Sequence, residues 1–255
     1  MSDWRTLFAA SRVAAVQLSD ARGVRQLLGQ RSFGFWLGAI VAVGVLLRVL
    51  YTVLLAPWPP PVGDDAWFYH FEAILVAHGR GFINVDYALL GVTRPSAAHP
   101  PLYSLVLAAL AKLGGTSQET QRLAGTFFGA GTILTLGLLG RRLAGTRVGL
   151  IAAGIAAVYP ILITADGALL SESLYGLLVA LCLLTAYRLM DPPSAGQAAS
   201  LGALLGLTIL TRGEALLLVP LLLAPIVLRP RAGRVALIAC CTSRAAARGS
   251  GAGRP

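Results

Sequence analysis

Residues 35–56 read FWLGAIVAVGVLLRVLYTVLLA, an apolar run with one charged residue, Arg48. A helix needs about 20 residues to cross the ~30 Å hydrocarbon core of a bilayer, so this run predicts a transmembrane helix. Three further runs of spanning length lie at residues 122–140, 148–166 and 170–189. With 56% hydrophobic and 13% charged residues, the chain lacks the composition of a soluble domain. We therefore predict an all-α integral membrane protein.

The stretch 198–228 is apolar except at its centre, where Thr211, Arg212, Gly213 and Glu214 follow one another. Such polar residues are costly inside one span, so the pattern favours two short helices joined by a polar turn. These two helices raise the expected number of crossings to about six. The remaining apolar run, Leu102 to Leu113, is too short to span and contains Lys112. It is predicted to lie along the interface or to re-enter the membrane.

The placement of Arg and Lys supports this topology, because short basic loops stay in the cytoplasm. If the N-terminus is cytoplasmic and residues 102–113 do not cross, fifteen basic residues face the cytoplasm and five face the other side. A crossing by residues 102–113 would move the Arg-rich loop 141–147 outside and lose this sorting. We therefore expect a multi-pass protein of the cell membrane with both ends in the cytoplasm. Its longest loop, residues 57–121, is then periplasmic or extracellular and carries interfacial helices.

The chain divides into three segments. Residues 1–34 form a cytoplasmic N-terminal segment, 35–230 form the transmembrane domain, and 231–255 form a basic, low-complexity tail that reads as an out-of-frame or truncated end.

The formal net charge is +10, but the arginines lie between apolar runs instead of along one face, so no nucleic acid partner is expected. The three cysteines have neither a disulfide framework nor a metal-ligand spacing.

Asp64 and Asp65 are the first candidate functional residues. They follow Gly63 and precede a helical pattern from Ala66 to His78, which Gly79 ends. A carboxylate at a membrane interface can act as general base towards an acceptor hydroxyl. Asp before a helix is also the usual N-cap, and adjacent helical residues point about 100° apart. Both interpretations, base and cap, stay open on spacing alone.

His99 is the second candidate. It precedes Pro100 and Pro101, which are suited to begin a short helix, so its imidazole is expected at a helix N-terminus. Backbone amides and the helix dipole there favour an anion such as phosphate, and a protonated His would add positive charge. The alternative is that His99 only caps the helix.

Four further charges are expected on one face of the membrane. Asp166 and Glu172 lie at the outer ends of the third and fourth spans, and Arg212 and Glu214 lie at the polar turn. They are either solvated at the bilayer rim or they line a polar cavity. Arg48 lies within the first span, where an arginine usually faces the bundle or pairs with an acid, unless it snorkels to the rim.

Several short motifs occur in an order that resembles a known family. In sequence they are Gly63-Asp64-Asp65, His-Pro-Pro-Leu-Tyr at 99–103, Arg-Arg-Leu-Ala-Gly at 141–145, Ser-Glu-Ser-Leu at 171–174 and Leu-Thr-Arg-Gly at 210–213. This order resembles the family 39 glycosyltransferases, which have the GT-C fold and include protein O-mannosyltransferases and lipid A aminoarabinose transferases. The resemblance covers about residues 35–230 and implies the N-terminal part of a GT-C fold.

The resemblance implies an inverting transfer of a sugar from a polyprenyl-phosphate carrier to a glycan, lipid or protein acceptor at the outer face of the membrane. Asp64 matches the family's catalytic aspartate, and Asp65 falls where the family often has Glu. The resemblance also implies substrate or phosphate binding by four residues, His99, Tyr103, Glu172 and Arg212. No nucleotide sugar is implied; a divalent metal is possible, although no metal-ligand spacing is present.

Two other functions stay open. A transporter or lipid flippase also uses apolar spans with scattered charges, although transporters usually have repeated halves and polar sites near the midplane. Family 39 members are usually longer than this chain, so an inactive transferase fragment is the other alternative.

Overall fold

The computed structural model describes residues 32–55, 63–191 and 193–228, and most of these residues are helical. The predicted all-α membrane fold is confirmed. In chain order the helices are α1 (Ser32–Leu55, with a π-helical last turn at Tyr51–Leu55), α2 (Asp65–Ala77), α3 (Val85–Leu89), α4 (Pro101–Lys112), α5 (Gln118–Ala144), α6 (Thr146–Val158), α7 (Pro160–Gly167), α8 (Glu172–Leu189), α9 (Ala195–Thr211), a 3-10 turn (Gly213–Leu217) and α10 (Leu218–Val227). Residues 1–31 and 229–255 lie outside the described residues, so the N-terminal segment (except its last residues) and the predicted tail are not described.

Four candidate spans coincide with the four long apolar runs. Helices α1, α5 and α8 are each long and apolar enough to cross a bilayer, and α6 with α7 forms a fourth candidate bent by 54°. The bend follows from Pro160, which lacks a backbone N–H and disfavours helical geometry at the preceding Tyr159. Tyr159 is accordingly extended, with φ −68° and ψ 116°.

The two short helices predicted for residues 198–228 are present and meet at Arg212, where the backbone is extended (φ −150°). They cover Ala195–Thr211 and Gly213–Val227, and both are shorter than the spans above. Helix α4 has 12 residues and ends at Lys112, as expected for a segment too short to cross. The count of six crossings and the orientation stay predictions.

A glycine-lined face of α5 allows the neighbouring helices to approach closely. A Cβ added at Gly125 or Gly129 would overlap Asp166 of α7, and one at Gly140 would lie 3.1 Å from the backbone of Gly149 in α6. Small residues are the usual means of close helix packing in membranes, where van der Waals contact replaces the hydrophobic drive. On α1, by contrast, large apolar side chains are left uncovered by other helices. Phe35 and Leu54 are each 70% exposed, as suits side chains that face lipid.

The long loop folds onto the helices through α2 and α4. Asp64 caps α2, and Gly79 follows it in the left-handed region (φ 76°), so the predicted cap and stop are confirmed. The aromatic residues of α2 pack within the protein: Trp67 and Phe68 lie against Val85, whereas Tyr69 belongs to a cluster with Tyr103 of α4. This packing fixes the start of α2 beside the start of α4.

Candidate functional site

A cavity of about 130 Å³ lies where several helix ends meet. Its walls come from the start of α2, the residues before α4, the start of α8 and the turn after α9. The lining residues are Asp65, Tyr69, His99, Pro100, Ser171, Thr211, Arg212, Gly213 and Glu214. Residues that are up to 149 positions apart in sequence, Asp65 to Glu214, therefore share one small polar space.

Arg212 is the main cation of this cavity, and two carboxylates hold its guanidinium. Its Nη1 donates to Glu172 Oε1 at 2.5 Å and its Nε donates to Glu214 Oε2 at 3.1 Å. The guanidinium carbon also lies 5.9 Å from the ring centroid of Tyr175. Ion pairs at such partly exposed positions contribute little stability, so the arrangement mainly fixes where the guanidinium lies.

Asp65 and His99 form the second charged pair. Asp65 Oδ1 lies 3.3 Å from His99 Nε2, and the carboxylate remains 60% exposed. The imidazole is held by aromatic rings, with centroids 4.7 Å from Phe68 and 4.9 Å from Tyr69. Because these rings fix the imidazole plane, the nitrogen that faces Asp65 has a defined position.

Two tyrosines lie beneath the charged groups. Burial raises the pKa of the Tyr69 phenol, and the nearby Ser171 side chain only partly opposes this shift. Tyr103 packs edge-to-face against Tyr69 at 4.9 Å, and burial raises its pKa well above the ordinary value. Both phenols therefore remain neutral near neutral pH.

The structure brings most of the sequence-predicted residues together. Asp65, His99 and Arg212 line the cavity, and Glu172 contacts it through Arg212. Tyr103 is 1% exposed and lies behind Tyr69. Asp64 is different, because its carboxylate accepts from the backbone N–H of Asp65 at 2.8 Å and does not line the cavity.

Sequence reasoning missed Tyr69 and Ser171. Tyr69 is four residues after Asp65 on the same helix, a spacing that places both on one face, so helical periodicity could have identified it. Ser171 immediately precedes Glu172, but nothing in its sequence context predicts that it lines the same cavity as Tyr69 of another helix.

A family model described as dolichyl-phosphate-mannose-protein mannosyltransferase matches residues 98–240. The match covers more than half of the chain. The chain belongs to this family. The resemblance to GT-C glycosyltransferases is thereby confirmed, and this family member is a membrane glycosyltransferase of the GT-C type. No curated protein and no solved structure matched the chain.

The matched region includes His99, Tyr103, Glu172 and Arg212, whereas Asp64 and Asp65 precede it. Membership of this mannosyltransferase family implies a membrane setting and a dolichyl-phosphate sugar donor. Among the described residues, no group of three or more His, Cys, Asp or Glu is placed to hold a metal ion.

Proposed function

We propose that this mannosyltransferase-family protein moves a sugar from a polyprenyl-phosphate carrier to an acceptor hydroxyl at the outer face of the membrane, with inversion at the anomeric carbon. One observation carries the proposal: an aspartate carboxylate and an arginine guanidinium line the same small cavity. A transfer of this kind needs a proton acceptor on one side of the reacting carbon and a cation for the leaving phosphate on the other.

The proposed reaction is a single displacement. The acceptor oxygen bonds to the anomeric carbon while the bond from that carbon to the phosphate oxygen breaks, and the electron pair leaves with the phosphate. The acceptor's proton passes to the aspartate. The attack comes from the face opposite the leaving group, which inverts the centre as in other single-displacement glycosyl transfers.

Arg212 is the proposed phosphate ligand. Glu172 and Glu214 occupy its Nη1 and Nε, and Nη2 makes no hydrogen bond within the part of the chain that the structure describes. Guanidinium N–H groups match the oxygens of a phosphate well, so the Nη2 edge is the proposed contact. His99 lies on the same cavity wall as Asp65, and a protonated imidazole there would add positive charge for the phosphate.

Two aspartates compete for the role of base. The sequence resemblance favours Asp64, whereas the cavity lining favours Asp65. Because Asp64 also caps α2, a loss of activity in an alanine variant would not separate catalysis from capping. The variant Asp64→Ser separates them, because serine caps a helix but cannot take the proton.

The experiment is a transfer assay on membranes that contain the 255-residue chain, with radiolabelled polyprenyl-phosphate mannose as donor and a Ser/Thr-containing peptide as acceptor. We compare Asp64→Ser, Asp65→Asn and Arg212→Gln with wild type. Loss of the base is expected to reduce turnover by about 100-fold or more, since positioned general bases contribute 10²–10⁴-fold. Full turnover in both aspartate variants would contradict the proposal of an aspartate base.

A matched control is Asp86→Asn, which removes an exposed acid of the same loop that does not line the cavity. This variant is expected to transfer sugar at the wild-type rate.

The family match favours a transferase over a transporter. A chain that moves a lipid-linked sugar across sealed vesicles without any transfer to acceptor would reverse that preference.

A further inference from the structure

The C-terminal end of α7 is held between α1 and α5 by two buried arginines. Arg48 of α1 is 1% exposed, and its Nε donates to Asp166 Oδ2 at 2.5 Å. The other guanidinium nitrogens of Arg48 donate to the carbonyls of Ala156 at 3.1 Å and Ala157 at 3.0 Å. One side chain thus joins the end of α6, just before the bend, to the end of α7.

Arg122 of α5 holds the next residue of α7. Its Nε donates to the carbonyl of Gly167 at 2.7 Å, and its Nη2 donates to the carbonyl of Thr52 in α1 at 3.3 Å. Gly125 leaves no space for movement on this side, because even a methyl group there would overlap the carbonyl of Asp166. We refer to Arg48 and Arg122 together as the arginine clamp.

The clamp is followed by a strained turn that leads into the cavity. Leu169 has φ +57° and is 2% exposed. Among the residues that the structure describes, it is the only non-glycine residue with a positive φ. Such a conformation persists in a leucine only where the surrounding structure enforces it, and it is common at functional sites. Two residues later the chain reaches Ser171, which lines the cavity, and then Glu172, which holds Arg212.

A hydrogen bond closes this connection. Ser173 Oγ, in the first turn of α8, donates back to the carbonyl of Ala165 in α7 at 3.1 Å. The clamp, the Leu169 turn and this bond therefore leave few conformations for residues 167–173. Because a misplacement of about 1 Å can reduce an enzyme's rate 100-fold, a segment that supplies one lining residue and the carboxylate that holds Arg212 has to be held firmly.

We propose that Arg48 and Arg122 are positioning residues for the transfer reaction: they fix the end of α7 so that the Leu169 turn places Ser171 in the cavity lining and Glu172 against Arg212. This inference rests on the proposed function for its effect on rate, but its effect on the segment 167–174 is measurable without any reaction. The competing explanation is that the buried pair only stabilises the helix bundle.

The decisive variant replaces the ion pair by apolar residues, Arg48→Met with Asp166→Leu. Replacing a buried ion pair by apolar residues of similar size is often neutral or stabilising, so this double variant separates stability from position. Two properties are measured in it, amide hydrogen exchange of residues 167–174 in detergent and the rate of mannose transfer. Arg122→Lys, which retains the charge but loses the planar fork, is the second and milder variant.

We expect the thermal midpoint of the double variant to stay near that of wild type, exchange in 167–174 to become at least tenfold faster, and kcat/KM for the donor to fall at least tenfold. The matched control replaces the partly exposed pair at the other ends of α5 and α8, Arg142→Met with Asp191→Leu, and both properties are expected to stay unchanged. Wild-type exchange and rate in both clamp variants would overturn the inference. If wild type itself transfers no sugar but the clamp variants still exchange faster, the proposed function fails and the positioning of the segment stands.

Discussion

Gly129→Ala is expected to be one of the most damaging single-methyl changes in this chain. Gly129 lies at the middle of α5, where it faces the buried pair of Arg48 and Asp166. A Cβ at this position would overlap Asp166 Oδ2 and would lie 2.5 Å from Arg48 Nε. These atoms have no free space, because both side chains are almost fully buried. Either α5 moves away from α7 or the ion pair separates.

The two responses set the size of the effect. Overpacking usually costs about 1–3 kcal/mol, and separation of a buried ion pair costs about 3–5 kcal/mol. Alanine is favoured over glycine within a helix by about 1 kcal/mol, which offsets part of this cost. Because the added methyl group overlaps the Asp166 carboxylate oxygen itself, we expect the ion pair to separate, and the net loss is then about 2–4 kcal/mol. For a chain of this size each 1 kcal/mol lowers the thermal midpoint by about 2–4 °C, so a decrease of about 5–15 °C follows.

The assay is thermal unfolding of the purified chain in one detergent, with Gly202→Ala as the control. Gly202 is exposed near the middle of α9, and an added Cβ there would meet nothing within 4 Å. The control variant is expected to unfold at or slightly above the wild-type midpoint. If the thermal midpoints of Gly129→Ala and Gly202→Ala lie within about 2 °C of each other, α5 does not pack as closely on α7 as described.

Two further predictions concern buried titratable groups of α2, and both are checked by thermal midpoints measured from pH 4 to pH 8. Burial raises the pKa of Glu72, which accepts a hydrogen bond from Ser104 Oγ. The contribution of Glu72 to stability is therefore present below the ordinary pKa of 4.5 and is lost as the pH rises through the raised pKa. We expect Glu72→Gln to have a higher thermal midpoint than wild type at pH 7, and a lower midpoint would contradict this. Burial lowers the pKa of His70, which is hydrogen-bonded to Gln121 at 2.8 Å. The contribution of His70 to stability is therefore present above the ordinary pKa of 6.5 and is lost as the pH falls through the lowered pKa. We expect His70→Asn to lose less stability than wild type on acidification, and midpoints of variant and wild type that fall in parallel would refute the lowered pKa.

Much of the helical layout was predictable because apolar run length and turn residues act locally. The four long runs, the short α4 and the polar turn at Arg212 all follow from hydropathy and from proline and glycine. The pairing of Arg48 was predictable only in part. An intramembrane arginine indicates an acidic partner, but the partner Asp166 reaches it because α7 bends after Tyr159, and no local pattern gives the direction of that bend.

The candidate site shows the same limit. The sequence identified each charged residue at a helix end as a candidate site residue, and the family resemblance assigned a role to several of them. Which of Asp64 and Asp65 faces the cavity depends on the path of the chain into α2, and sequence cannot supply that path. The structure places Asp65 in the lining and Asp64 on the backbone N–H of its neighbour.

The geometry of the helix ends also explains how the proposed phosphate site can tolerate three carboxylates in or next to the cavity, those of Asp65, Glu172 and Glu214. Helices α2, α4 and α8 all begin at the cavity, next to Asp65, His99 and Glu172 respectively. Each helix start carries unpaired backbone N–H groups and a partial positive charge, which stabilises nearby anions by about 0.3–1 kcal/mol. Three such starts offset part of the repulsion between the carboxylates and an incoming phosphate. The positive potential of the proposed site therefore comes from backbone as well as from Arg212, so Arg212→Gln is expected to weaken donor binding without abolishing it, whereas removal of the base acts on turnover.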